Sequence, residues 1–248
     1  MARRPQAQGL SARVHGRDSD RLGILWPLAA GALTVALWRV PHGRTALWPF
    51  SLLATWFHEM GHGLTALALG GRFEKLLLYA DGSGLAVSGA PRWLGSLGSA
   101  AVAAGGPLGP AAAGALLIVA SRRFSTARAG LWLLGLALIG SGLAWTRSVF
   151  GFGFTLAAGA LVLLTAARAG RETHGFAAQF LGVQACLSAF QELDYMFSAS
   201  ATVGGRPMAS DSARIAELIG GAYFIWGGAM AVTAVALLGL SLRFAYRR

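Results

Sequence analysis

The chain reads as long apolar runs separated by short polar breaks. Seven runs, residues 22–38, 46–69, 94–120, 131–146, 149–168, 176–197 and 218–240, approach or exceed the length of a membrane helix. About 20 apolar residues carry a helix across the ~30 Å hydrocarbon core of a bilayer. The pattern predicts an all-α polytopic membrane protein of about six to seven transmembrane helices. The break after the second run differs from the others. Gly70-Gly71 stops the helix. Phe73 to Tyr79 then reads as a strand, Asp81-Gly82 as a turn and Leu85 to Val87 as a returning strand. Open strand edges are not tolerated in lipid, so this short hairpin is expected at the interface or lining a protein cavity.

Composition agrees with that pattern. The chain has 248 residues, 55% of them hydrophobic and 12% charged, with a mean hydropathy of +0.55. The net charge of +11 does not point to nucleic acid. The basic residues flank the apolar runs, as they do beside membrane helices, and no aromatic-interleaved basic patch accompanies them. Every basic residue except Lys75 is Arg, and Ala and Gly are heavily used. That usage suggests a GC-rich bacterial genome, and a multi-pass protein of the bacterial cytoplasmic (inner) membrane is expected. Residues 1–21 are polar and Arg-rich and read as a disordered basic tail. No signal peptide is expected at the start, and residues 22–248 read as the integral membrane domain. Cys186 is the single cysteine, so neither an intrachain disulfide nor a thiolate metal site is expected.

The second run carries the candidate chemistry. His58-Glu59-Met60-Gly61-His62 reads H-E-x-x-H. Four helical residues advance the chain by about 400° and ~6 Å. His58 and His62 therefore share one helix face, one turn apart, as two imidazoles binding one metal must. Glu59 sits beside them, where a carboxylate can take a proton from an attacking water. Imidazoles with a carboxylate suit zinc with one open position. Ionisable groups inside a membrane segment are costly and mark function.

Two imidazoles leave such a metal short of a protein ligand. In the sixth run Gln184, Ser188 and Gln191 form a polar stripe, flanked by Glu192 and Asp194. Asp194 lies near the end of this run that shares a membrane side with His58 and His62. Residues 198–210 read as a Gly/Ser/Pro-containing loop, and those from Asp211 to about Arg243 as one helix of over 30 residues, capped by Ser210. Such a helix outruns the ~30 Å core, which sets Asp211 at the surface. Asp194 is the preferred third metal ligand, Asp211 the alternative and Glu192 the third candidate.

The run from His58 through Arg72 resembles the zinc-binding helix of the site-2 protease family, the intramembrane zinc metalloproteases, and is closest to its small bacterial peptidase-like branch. Residues from Lys75 to Leu85 resemble that branch's extended segment, and Ala104-Gly-Gly-Pro-Leu-Gly-Pro resembles its next core helix. These similarities cover roughly residues 46–120. The family's usual Asp-Gly pair for the third ligand is absent, although Asp211-Ser-Ala-Arg-Ile resembles its Asp-Gly-x-Arg pattern. The resemblance implies a zinc-dependent endopeptidase with Glu59 as catalytic base. Its substrate would be a membrane protein or peptide, cut within the lipid bilayer. The resemblance also puts the N-terminus inside the cell. The alternative is a non-proteolytic scaffold, chaperone or metal-handling membrane protein that keeps the metal-site shell. No nucleic acid partner is expected.

Overall fold

The structure is a computed structural model. It describes residues 29, 31–37, 39–191 and 193–246. The tail at 1–21, most of the start of the first apolar run, and Glu192 lie outside the described residues. Residues 31–37 are helical. Helix α1 then spans Gly43–Ala68, and strands β1 (Arg72–Leu78) and β2 (Gly84–Gly89) form an antiparallel hairpin. Helices α2 (Gly95–Ala120), α3 (Phe124–Ala144), α4 (Val149–Arg168) and α5 (Arg171–Gln191) follow, then a single turn, α6 (Leu193–Met196). A second antiparallel hairpin pairs β3 (Ser200–Val203) with β4 (Arg206–Ala209). Helices α7 (Asp211–Ile219) and α8 (Tyr223–Tyr246) close the described chain.

Among the described residues, four segments are long and apolar enough to cross a membrane, namely Arg92–Ala120, Phe124–Ala144, Val149–Arg168 and Tyr223–Tyr246. Large apolar side chains face outward along them, including Leu116, Leu133, Leu161 and Val232. Apolar surface on this scale matches a lipid environment rather than water. The chain is an integral membrane protein, mostly helical, with two small hairpins.

The expected stop at Gly70-Gly71 is observed, with Gly70 at φ 80°. The first hairpin then folds back alongside α1. Trp48 Nε1 donates to the Ala80 carbonyl and Thr55 Oγ1 donates to the Gly82 carbonyl. The outer edge of β1 is covered by the turn between α3 and α4. Leu76 N–H donates to Trp145 O, Arg147 N–H donates to Leu76 O, and Ser148 Oγ takes the N–H of Leu78. The outer edge of β2 faces a cavity. The hairpin thus lines a protein cavity, one of the positions expected from sequence, where protein groups can satisfy backbone that lipid could not.

Two expectations need correction. Residues 211–243 do not form one helix. Gly220 and Gly221 sit at φ 85° and 87° and separate α7 from α8. Gly220, with ψ 179°, occupies backbone space that is essentially reserved for glycine. The segment read as a plain loop at 198–210 holds the β3–β4 hairpin instead. Its turn residues Gly204 and Gly205 both have positive φ, as the tightest hairpin turns require.

Two residues of the polar stripe of α5 turn into the bundle. Gln184 and Ser188 are buried, and Gln184 Nε2 donates to Thr34 Oγ1 at 2.5 Å. At the far end of α5, His174 Nε2 faces the Thr165 and Ala166 carbonyls that end α4.

Candidate metal centre

Helix α1 packs on α2 through glycine. A Cβ added to Gly61 would lie 2.1 Å from Gly105 O, and one added to Gly106 would lie 2.2 Å from His62 Nε2 and 2.8 Å from His58 Nε2. Small residues let two membrane helices approach this closely. Here they also leave the room in which both imidazoles sit. The two helices thus pack directly against each other.

His58 and His62 lie one turn apart on that face, with Nε2 atoms 3.2 Å from each other. The acid that meets them is Asp211. Its Oδ2 is 3.1 Å from His58 Nε2 and its Oδ1 is 3.4 Å from His62 Nε2. The preference for Asp194 is therefore corrected. Asp194 is exposed, one residue before Tyr195, and a helical step of about 100° points the two side chains in different directions. The break at Gly220–Gly221 is what sequence reasoning missed. It frees α7 from the axis of α8 and lets its first residue reach the histidines.

The tautomer of His62 follows from its partner. Nδ1 is 2.8 Å from the Val102 carbonyl, which can only accept, so Nδ1 carries the proton. The lone pair of Nε2 then faces His58 and Asp211. A proton shared between His58 and Asp211 would account for one side of the triangle. It leaves the His62 lone pair facing the same point. A metal ion accounts for all three donors. Tetrahedral zinc with bonds of about 2.0–2.1 Å places neighbouring ligand atoms roughly 3.3–3.4 Å apart. The two imidazole nitrogens, 3.2 Å apart, are close to that spacing, and each has one of the two Asp211 oxygens near it, Oδ2 at 3.1 Å from His58 and Oδ1 at 3.4 Å from His62. Among the described residues, His58, His62 and Asp211 form a compact His/acid group able to hold a metal.

Burial opposes the charge on Asp211. In their protonated form the two imidazoles outweigh it and hold the carboxyl below the usual carboxylate range.

Glu59 lies on the other side of the histidines, against the first hairpin. Its Oε2 accepts the N–H of Ala86 at 2.6 Å. A Cβ on Gly84 would lie 2.8 Å from Glu59 Cγ, so β2 passes close over the carboxylate. Glu59, His58, His62 and Asp211 all line one cavity of about 430 Å³. Its walls come from β2, from β3 and from the first turns of α2.

Residues 28–241 match the family described as Peptidase M50B-like, which is the site-2 protease family. The chain belongs to that family. No curated protein and no solved structure matches it. Membership in this peptidase family points to a membrane metalloprotease. In this family member His58, His62 and Asp211 could hold a metal, and Glu59 lies beside them. Sequence reasoning also missed Tyr195, whose hydroxyl is 3.1 Å from Asp211 Oδ2. Its only visible signal was a position beside the polar stripe of the sixth apolar run.

Proposed function

We propose that the protein is an intramembrane zinc endopeptidase that hydrolyses peptide bonds of membrane-embedded protein segments. The observation that carries this reading is the convergence of His58, His62 and Asp211 beside Glu59 in one cavity. The two imidazoles and the Asp211 carboxylate would hold the zinc. When bound there, zinc supplies Lewis acidity toward the scissile carbonyl and toward water. Glu59 takes a proton from the attacking water and returns it to the leaving amine. Its hydrogen bond from Ala86 fixes where that carboxylate points.

The substrate would lie extended in the cavity. Ala86 directs its N–H to Glu59 and away from β1, so the free edge of β2 faces the site. An edge strand of this kind accepts an extended peptide by backbone pairing. Alanine and glycine line much of the cavity, including Gly84, Ala86, Ala90, Ala103 and Ala201, and leave room for substrate side chains. The bacterial inner membrane is the proposed location. A non-proteolytic role drew its support from the absent Asp-Gly pair, and the nearness of Asp211 to both histidines weighs against it.

The test is cleavage in liposomes. Zinc-loaded wild type and Glu59→Gln are each given a library of single-span peptides, and products are read by mass spectrometry. Wild type is expected to cut within the spans, and Glu59→Gln to leave them intact. Equal cutting by both, or none by zinc-loaded wild type, contradicts the proposal.

A further inference from the structure

The short segment between α5 and the second hairpin is tied to the start of α7 at three successive points. Tyr195 Oη lies 3.1 Å from Asp211 Oδ2, Ser212 Oγ donates to Met196 O, and Ser210 Oγ donates to Ser198 O. The second and third ties join side chains to backbone carbonyls and close the neck of the β3–β4 hairpin. The first differs in kind, because it ends on the carboxylate that faces the histidines.

Tyr195 touches Asp211 twice. Its hydroxyl accepts the Asp211 backbone N–H at 3.1 Å and donates to Oδ2 at 3.1 Å. One phenol thus spans the backbone and the carboxylate of the same residue. It fixes the side-chain torsions of Asp211 as a brace fixes a hinge. The aromatic ring also packs edge-on to His58, with centroids 5.9 Å apart. Tyr195 therefore contacts two of the three residues of the proposed metal group.

We infer that Tyr195 is a positioning residue that preorganises Asp211, and through it the three-donor group, for the metal. The inference rests on the metal reading of this site. Without the hydroxyl, Asp211 keeps its place on α7 but its carboxylate is free to rotate toward solvent in the cavity. Partners that orient metal ligands in this way change metal affinity by about 10–100-fold when removed.

The experiment uses full-length apoprotein in detergent micelles. Zinc affinity is measured by chelator competition, and Co²⁺ is used as a spectroscopic probe of ligand geometry. Tyr195→Phe is compared with wild type, Ser212→Ala and His58→Ala. Tyr195→Phe is expected to bind zinc about 10–100-fold more weakly and to alter the Co²⁺ absorption bands. The melting temperature of its apo form is expected to stay at the wild-type value. Ser212→Ala removes a neighbouring tie and should leave affinity and spectrum unchanged. Wild-type affinity and spectrum in Tyr195→Phe overturn the inference. So does an equal loss in Ser212→Ala, which would mean that the neck matters and the hydroxyl does not. A Tyr195→Phe protein that fails to fold overturns it too, since the hydroxyl would then serve the fold rather than the metal group. His58→Ala separates the two readings. If it binds zinc as wild type does, the metal site itself is misassigned, whatever Tyr195→Phe shows.

Discussion

His58 Nε2 and Asp211 Oδ2 stand 3.1 Å apart although 153 residues separate them in the chain. The first belongs to a helix whose neighbours are glycines. The second opens a nine-residue helix cut off from its successor by two more glycines. The site is thus assembled by close helix approach on one side and by a broken helix on the other.

The glycine beneath the imidazoles is one place to test this. Gly106→Leu is expected to displace both histidine rings, since even a Cβ would lie 2.2 Å from His62 Nε2. Overpacking of this kind costs about 1–3 kcal/mol. Metal content and thermal melting of the variant should fall together. Retention of full metal content contradicts the packing described for α1 and α2.

The helix break is another. Gly220→Ala places a side chain at φ 85° and ψ 179°, a conformation costing non-glycine residues about 1–3 kcal/mol. The expected outcome is a lower melting temperature and weaker metal binding, because α7 carries Asp211. A variant as stable as wild type would show that the break is not needed.

Glu59 offers a third test, through its backbone partner. Ala86→Pro removes the N–H that Glu59 accepts. The ladder to β1 should survive, because that N–H points away from it. A hydrogen bond to a charged group is worth about 1.5–3 kcal/mol, so turnover is expected to drop by about tenfold or more while zinc content stays at the wild-type level. Unchanged turnover would show that Glu59 needs no anchoring by β2.

Much of the architecture was legible in the sequence because it is local. Four of the seven apolar runs, at 94–120, 131–146, 149–168 and 218–240, overlap described segments long and apolar enough to cross a membrane, and the four-residue spacing of His58 and His62 places both on one face without any tertiary knowledge. Gly70-Gly71, Asp81-Gly82 and the small residues around Gly106 likewise announce a stop, a turn and a close contact. Asp211 was misplaced for a physical reason. Its depth was judged from a helix assumed to run unbroken to Arg243, whereas Gly220-Gly221 breaks it. The β3–β4 hairpin was marked only by Gly204-Gly205 and was read as a loop. The Val102 carbonyl that sets the His62 tautomer is a backbone atom, and no residue type at that position would have revealed it.

The most direct test of the metal centre is zinc analysis of purified wild type, Asp211→Asn and Asp194→Asn by mass spectrometry. Wild type and Asp194→Asn are expected to carry about one zinc per chain, held by three protein ligands. Asp211→Asn should lose most of it. Zinc retained by Asp211→Asn and lost from Asp194→Asn would contradict the site described here.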